Sequence, residues 1–241
     1  MPATTTLSSL NRIGIDESGK GDYFGPLVIA AVFVTPTSEQ DLALMQVRDS
    51  KKISDGRILE LAPDIRLLCP HSIVAIGPQR YNELYAKIKN LNRLLAWGHA
   101  RVIENLMLQQ HRMLPPPVRA ISDQFASDKA TVAKALMSLG RQIELIQRHK
   151  AEADLAVAAA SILARDEFVR RLAGLGAEIG VTLPKGASAA VDAVARQLVQ
   201  NHGAEKLATV AKMHFRTALR AQGLPEPPKV PWRKSSASAR D

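Results

Sequence analysis

The longest apolar run in this chain, Leu27 to Val34, is only strand-sized. It is rich in β-branched residues and follows Gly25-Pro26, so it reads as a β-strand. It falls far short of the ~18 apolar residues of a membrane span. Other strands join it. Arg12 to Asp16 alternates, with Ile13 and Ile15 on one face. Ser72 to Ile76, Arg119 to Asp123 and Gln142 to Gln147 complete a set of five. Between them lie helical patterns. Leu91, Leu95, Gly98, Val102 and Leu106 step by 4, 3, 4 and 4 along one face, where Gly98 allows close packing. Pro115-Pro116-Pro117 ends that pattern. A helix is expected near Asp128 to Leu139, and Ala151 to Leu172 is rich in the strong helix formers alanine and leucine. Residues 184–223 read as two more helices, broken near Gly203. The expected architecture is α/β: a mixed five-stranded sheet flanked by helices, with extra helices at the C-terminal end. Residues 1–11 read as a flexible start, 12–222 as one domain, and 223–241 as a proline-rich basic tail. No internal repeat is evident.

Charge narrows the partners. Over 241 residues, 32 Lys and Arg stand against 23 Asp and Glu, giving a net charge of +9. Such a balance favours a polyanionic partner, because each neutralised phosphate releases counterions. Basic composition alone does not require nucleic acid. Cys69 is the lone cysteine, which excludes an intramolecular disulfide and agrees with a reducing cytoplasm. Met1 to Leu10 has no charged n-region and is not read as a signal peptide.

Three acidic element ends stand out. Asp16 and Glu17 end the first strand, Asp123 ends the fourth, and Asp154 lies in the first turn of the alanine-rich helix. Taken singly, each is an ordinary residue at a strand end or helix start. If the ends converge, four carboxylates meet at one sheet edge. Like charges raise each other's pKa, and a divalent cation removes that cost. Mg²⁺ or Mn²⁺ suits an all-oxygen site, and two ions about 4 Å apart can activate water and stabilise a leaving oxygen.

Gly14, Gly19 and Lys20 imitate a nucleotide-binding loop, but Gly21 stands where that motif needs Ser or Thr. Asp16 and Glu17 also fall inside the segment that would cradle phosphates, and a strand follows instead of a helix. The nucleoside-triphosphate reading is therefore rejected. Gly19 and Gly21 still let backbone approach a ligand closely on either side of Lys20. Asp49-Ser50-Lys51-Lys52 offers a hydroxyl and two ammonium groups suited to phosphates, although such a run is also an ordinary solvated surface.

Together these segments resemble the type 3 ribonucleases H. Gly14 to Asp22 with Phe24-Gly25-Pro26 is similar to the opening of that family, and Asp49 to Lys52 to its next block. Tyr81 to Tyr85, Asn90-Leu91-Asn92 and Leu95 to Ala100 resemble its long helical block. Asp123-Gln124-Phe125, Ala153 to Ile162, Leu183 to Ala187 and Lys212 to Phe215 follow in order. The resemblance implies an RNase H-like fold. It also implies metal-dependent hydrolysis of the RNA strand of RNA–DNA hybrids, leaving 3′-hydroxyl and 5′-phosphate ends. The family's acidic quartet falls on Asp16, Glu17, Asp123 and Asp154, as both catalytic and metal-binding residues. Its glycine motif falls on Gly19, Lys20 and Gly21, where close approach senses the ribose 2′-hydroxyl, the mark of RNA. Ser50, Lys51 and Lys52 join these as expected nucleic-acid contacts. Lysine inside the glycine motif is similar to type 3, whereas type 2 enzymes typically carry arginine there. The expected chain is a cytoplasmic monomer. The family's usual N-terminal domain, similar to the TATA-binding protein, is expected to be missing ahead of residue 12.

His99 beside Trp97 is read as a packing residue, and His214 as a surface or packed histidine with a lesser prospect of touching substrate. At 4% aromatic residues, a base-stacking platform is not expected. Two alternatives differ in substrate or chemistry: type 2-like action at single ribonucleotides embedded in DNA, and a non-catalytic binder of hybrids.

Overall fold

The computed structural model describes residues 11–125 and 130–228. Residues 1–10 of the expected flexible start, residues 229–241 of the expected tail, and residues 128 and 129 of the expected helix lie outside the described residues. The sheet contains β1 (Arg12–Ser18), β2 (Leu27–Val34), β3 (His71–Ile76), β4 (Arg119–Asp123) and β5 (Glu144–Arg148), in the order β3-β2-β1-β4-β5. β1 pairs antiparallel with β2 and parallel with β4, so the sheet is mixed. Around it run α1 (Pro36–Leu44), α2 (Asp55–Leu68), α3 (Pro78–Ile88), α4 (Leu91–Met107), α5 (Ala130–Ala135), α6 (Leu155–Glu178), α7 (Ala189–Val210) and α8 (Arg216–Ala221).

All eight positions of β2 are buried. Its alternate side chains serve two cores. Val28, Ala30, Val32 and Val34 pack with α2 and α6, while Leu27, Ile29, Ala31 and Phe33 pack with α4. A strand covered on both faces loses polar alternation, which is why it reads as an unbroken apolar run. α6 lies hard against β1. A Cβ on Gly14 would stand 2.0 Å from the Ala156 carbonyl carbon, so only glycine fits there. Gly98 likewise brings α4 close to β2, where an added Cβ would meet Ile29 Cδ1 at 2.7 Å and push that side chain aside.

Several boundaries differ from the sequence expectation. Ala151–Ala153 forms a 3₁₀ turn, and α6 begins only at Leu155 because the Asp154 carboxylate caps it, accepting from the Ala156 amide at 2.9 Å. β5 starts at Glu144 because Gly140–Gln142 is a 3₁₀ turn. Residues 184–223 hold three helical pieces instead of two. Gly203, at φ 82°, breaks the path between Ala189 and Val210, and α8 follows separately. Helices α1 and α2 were not anticipated, whereas α3 holds Tyr81 to Tyr85 of the expected helical block. α1 buries only Ser38 and Leu42 and so leaves little apolar periodicity to read, although Thr35 and Ser54 supply side-chain caps for α1 and α2.

Candidate active site

Parallel pairing sets Ile15 beside Ser122, which brings the next residues, Asp16 and Asp123, to adjacent strand ends. Neighbouring strands lie ~4.8 Å apart, so the two carboxylates share one sheet edge. There a cavity of about 740 Å³ opens, and Asp16, Glu17 and Asp123 line it. So do Gly19, Lys20, Gly21, Ser50 and Lys51. Lys52 is exposed and Asp154 is buried; neither lines the cavity.

The first two acids are held differently. Asp16 is 8% exposed and accepts the Glu17 amide at 2.8 Å. Burial, reinforced by the Glu17 charge, pushes the Asp16 carboxyl well above its usual range. Burial works on Glu17 in the same sense, but a hydrogen bond from His99 Nε2 at 3.1 Å and the charge of Lys20 outweigh it and hold the carboxyl low. Lys20 Nζ stands 3.4 Å from Glu17 Oε1.

Asp154 has other partners. Arg12 Nε donates to both of its oxygens, at 2.9 and 3.0 Å, and Arg148 approaches at 3.4 Å. The Arg12 side chain is fully buried and also meets Glu39 at 2.6 Å. The fourth acid therefore sits behind the cavity edge with its charge already matched.

The loops around the cavity are tied by long-range bonds. At Gly19, φ is 87° and a Cβ would lie 2.1 Å from the Pro26 carbonyl oxygen, so the turn needs glycine. Asp22 Oδ1 accepts the Gly186 amide at 2.7 Å, joining this turn to the Leu183 to Ala187 segment. The buried Lys212 ammonium donates to the carbonyls of Asp22, Phe24 and Gly25, at 2.8, 3.4 and 2.7 Å. Burial lowers its pKa to about 7, with only the Asp22 charge opposing. The Asp49 carboxylate caps the turn at Ser50–Lys52, and the Ser50 amide donates to Ser161 Oγ on α6 at 3.0 Å. That bond presents Lys51 to the acids. Burial lowers the Lys51 pKa, but Asp16, Asp49 and Glu17 outweigh it and the net shift is upward.

The chain matches the family model described as Ribonuclease HII over residues 13–218. It belongs to that family. Within it, the ribonuclease HIII of Protochlamydia amoebophila is 47% identical over 214 residues, spanning 89% of this chain and 69% of that protein. The ribonuclease HIII of Chlamydia pneumoniae is 48% identical over 210 residues, spanning 86% and 68%. Among solved structures, Bst-RNase HIII in complex with Mn²⁺ superposes with a TM-score of 0.82 at 32% identity, covering 92% of this chain and 73% of that one. Aquifex aeolicus RNase H3 gives 0.66 at 28% identity, covering 86% and 73%.

In this ribonuclease HII family member the donor chemistry fits a hard divalent cation. The cavity acids present only oxygen, and Asp123 Oδ1 is buried without a hydrogen-bond partner among the described residues. An unpartnered buried carboxylate oxygen beside a carboxyl whose charge is disfavoured is what a cation would relieve. No three acidic or imidazole groups among the described residues stand close enough to enclose an ion alone. Water and substrate phosphate oxygens would supply the remaining ligands, as is usual for Mg²⁺.

Among the other cavity residues, Arg165 lies outside the family-like segments, while Lys185 and Phe125 lie within them without an expected role. Arg165 and Lys185 both bind Asp55 on the cavity wall, Arg165 at 3.1 Å. Phe125 lies under Lys20, 5.5 Å from Nζ to the ring centre. His214 stacks on Tyr85 at 4.3 Å and does not line the cavity.

Proposed function

We propose that this protein is an endoribonuclease that hydrolyses the RNA strand of RNA–DNA hybrids with Mg²⁺ or Mn²⁺. The observation that carries the reading is the meeting of Asp16, Glu17 and Asp123 in one cavity with Lys20 and Lys51. Carboxylates alone would repel a phosphodiester; flanked by ammonium groups and a cation they bind one. Asp16, Glu17 and Asp123 would hold the ions, and Asp154 completes the family's quartet from behind the edge. A bound divalent ion supplies an activated water and neutralises charge on the scissile phosphate. Water oxygen bonds to phosphorus as the bond to O3′ breaks. The proton ends on O3′, leaving 3′-hydroxyl and 5′-phosphate ends. Gly19, Lys20 and Gly21 face the ribose 2′-hydroxyl, and Ser50 with Lys51 grips a neighbouring phosphate. Lys52 contributes from the exposed rim.

Incubating the protein with a labelled continuous hybrid, with and without each metal, tests the reading. Metal-dependent cuts within the RNA strand are expected. Binding without cleavage under either ion would leave only a hybrid-binding protein. Faster cutting of a duplex with one embedded ribonucleotide would replace the hybrid by the type 2 substrate. The reading carries with it a cytoplasmic monomer, checked by cell fractionation and light scattering.

Lys51→Ala gives a second measurement. If its ammonium neutralises one phosphate, the slope of log affinity against log salt falls by about 0.9. The loss is expected to be alike for hybrids of different base sequence, because phosphate contacts position without reading bases. An unchanged slope would remove Lys51 from the interface.

A further inference from the structure

His99 is 1% exposed on α4, yet its ring nitrogen points at a cavity acid instead of a backbone carbonyl. We propose that His99 is a positioning residue: its Nε2–H fixes the Glu17 carboxylate in the orientation in which it holds the divalent ion. The proposal rests on the hybrid-ribonuclease reading above and adds a residue to it.

Four observations bear on it. Nε2 lies 3.1 Å from Glu17 Oε2, within hydrogen-bond range for N–H to O. The other nitrogen, Nδ1, is buried and has no hydrogen-bond partner among the described residues. The Nε2 contact to Glu17 is therefore the ring's one hydrogen bond among the described residues, and an ionised carboxylate there can only accept it. The ring is wedged by Phe125, at 4.9 Å between centres, two residues beyond Asp123. Finally, α4 is seated closely on β2 at the neighbouring Gly98, so the imidazole has a rigid base.

Glu17 needs such a holder. Its second oxygen faces Lys20, whose side chain is 37% exposed and long. Without His99, only that ammonium and solvent hold the carboxylate. With it, Oε2 is pinned from inside the core while Oε1 meets Lys20 at the cavity. Groups that orient a ligating carboxylate in this way typically contribute 10–100-fold in metal affinity or activity. An ordinary core histidine would show no dependence on whether its replacement can donate to Glu17.

The test uses the full chain and three substitutions. His99→Leu fills the space without a donor, His99→Gln restores a donor of similar reach, and His99→Asn carries a donor too short to arrive. Mn²⁺ affinity is measured by titration calorimetry without nucleic acid, alongside melting temperature and kcat and KM on a continuous hybrid. For His99→Leu, Mn²⁺ affinity and kcat are expected to fall at least about tenfold with KM for the hybrid unchanged. His99→Gln is expected to recover both to within about threefold. If His99→Leu unfolds at the assay temperature, His99→Asn serves as the weak variant against His99→Gln. Parent-like Mn²⁺ affinity in a folded weak variant would overturn the proposal, as would His99→Gln no better than that variant at equal melting temperature. A parent protein that neither binds Mn²⁺ nor cuts the hybrid would instead bring down the functional reading, and this proposal with it.

Discussion

Asp16→Asn is expected to lower cleavage of a continuous hybrid by on the order of a thousandfold while making the metal-free protein more stable at alkaline pH. A thousandfold corresponds to about 4 kcal/mol of lost transition-state stabilisation. That lies in the range that a correctly held divalent ion contributes. Asparagine keeps a carbonyl oxygen to accept the Glu17 amide, so the strand end is preserved. What it removes is a buried charge next to another. In the parent, burial and Glu17 raise the Asp16 pKa, so between the ordinary aspartate range and that raised value the folded state binds more protons than the unfolded one. Parent stability therefore falls as pH climbs through this window. The variant has no such loss. Its advantage is absent near pH ~4, the unperturbed aspartate range, and grows above it. Melting curves for both proteins at about pH 4 and pH 8 without divalent ions, beside cleavage in Mn²⁺, read both effects. Cleavage within tenfold of the parent would remove Asp16 from the metal site. A stability difference that ignores pH would show that its charge is not what the fold resists.

The sheet was legible in the sequence because its strands carry strong local signals. Leu27 to Val34 is bounded by Gly25-Pro26 and by the cap at Thr35, and both the expected and observed spans coincide. Arg119 to Asp123 coincides likewise. Three of the acids were legible because they lie at or near strand ends, and a parallel register brings such positions together. The remainder depends on contacts that local pattern does not encode. Arg12 reaches Asp154 across 142 residues, and Arg165 and Lys185 reach Asp55 across 110 and 130. Nothing near Asp154 in sequence announces that its charge is matched. His99 was read as packing, and it is buried as expected. Its direction follows from how α4 crosses the sheet, which the 4, 3, 4, 4 spacing leaves open. The one available signal was a polar ring next to Gly98 on an otherwise apolar helix face.

Asp154→Asn is expected to destabilise the fold by about 3 kcal/mol and, in the molecules that remain folded, to lower cleavage at least about a hundredfold. The first effect follows from Arg12. Its side chain is fully buried, and the Asp154 side chain is 3% exposed, so removing one charge leaves the other with less compensation in a low-dielectric setting. Glu39, at 2.6 Å from Arg12, retains part of the pairing and keeps the loss at the low end of the range for broken buried pairs. For a chain of this size that is a fall of roughly 6–12 °C in melting temperature. The helix start contributes little, since asparagine caps as well as aspartate. The second effect follows from the family quartet and from Arg148, which stands beside Asp123 in the β4–β5 register and also approaches Asp154. Arg148 is thus a neighbour both of Asp154 and of the strand position that carries Asp123. Glu39→Gln is the control, because it weakens the other arm of Arg12 and leaves Asp154 intact. It is expected to cost about 1 kcal/mol, as a partly exposed pair, with cleavage unchanged. Assays run well below both melting temperatures separate the two roles. Parent-like cleavage in Asp154→Asn would leave Asp154 only as the counter-ion of Arg12, and the chemistry to Asp16, Glu17 and Asp123. An unchanged melting temperature would mean that Glu39 alone suffices to balance the buried guanidinium, and would free Asp154 to act at the metal without a structural penalty.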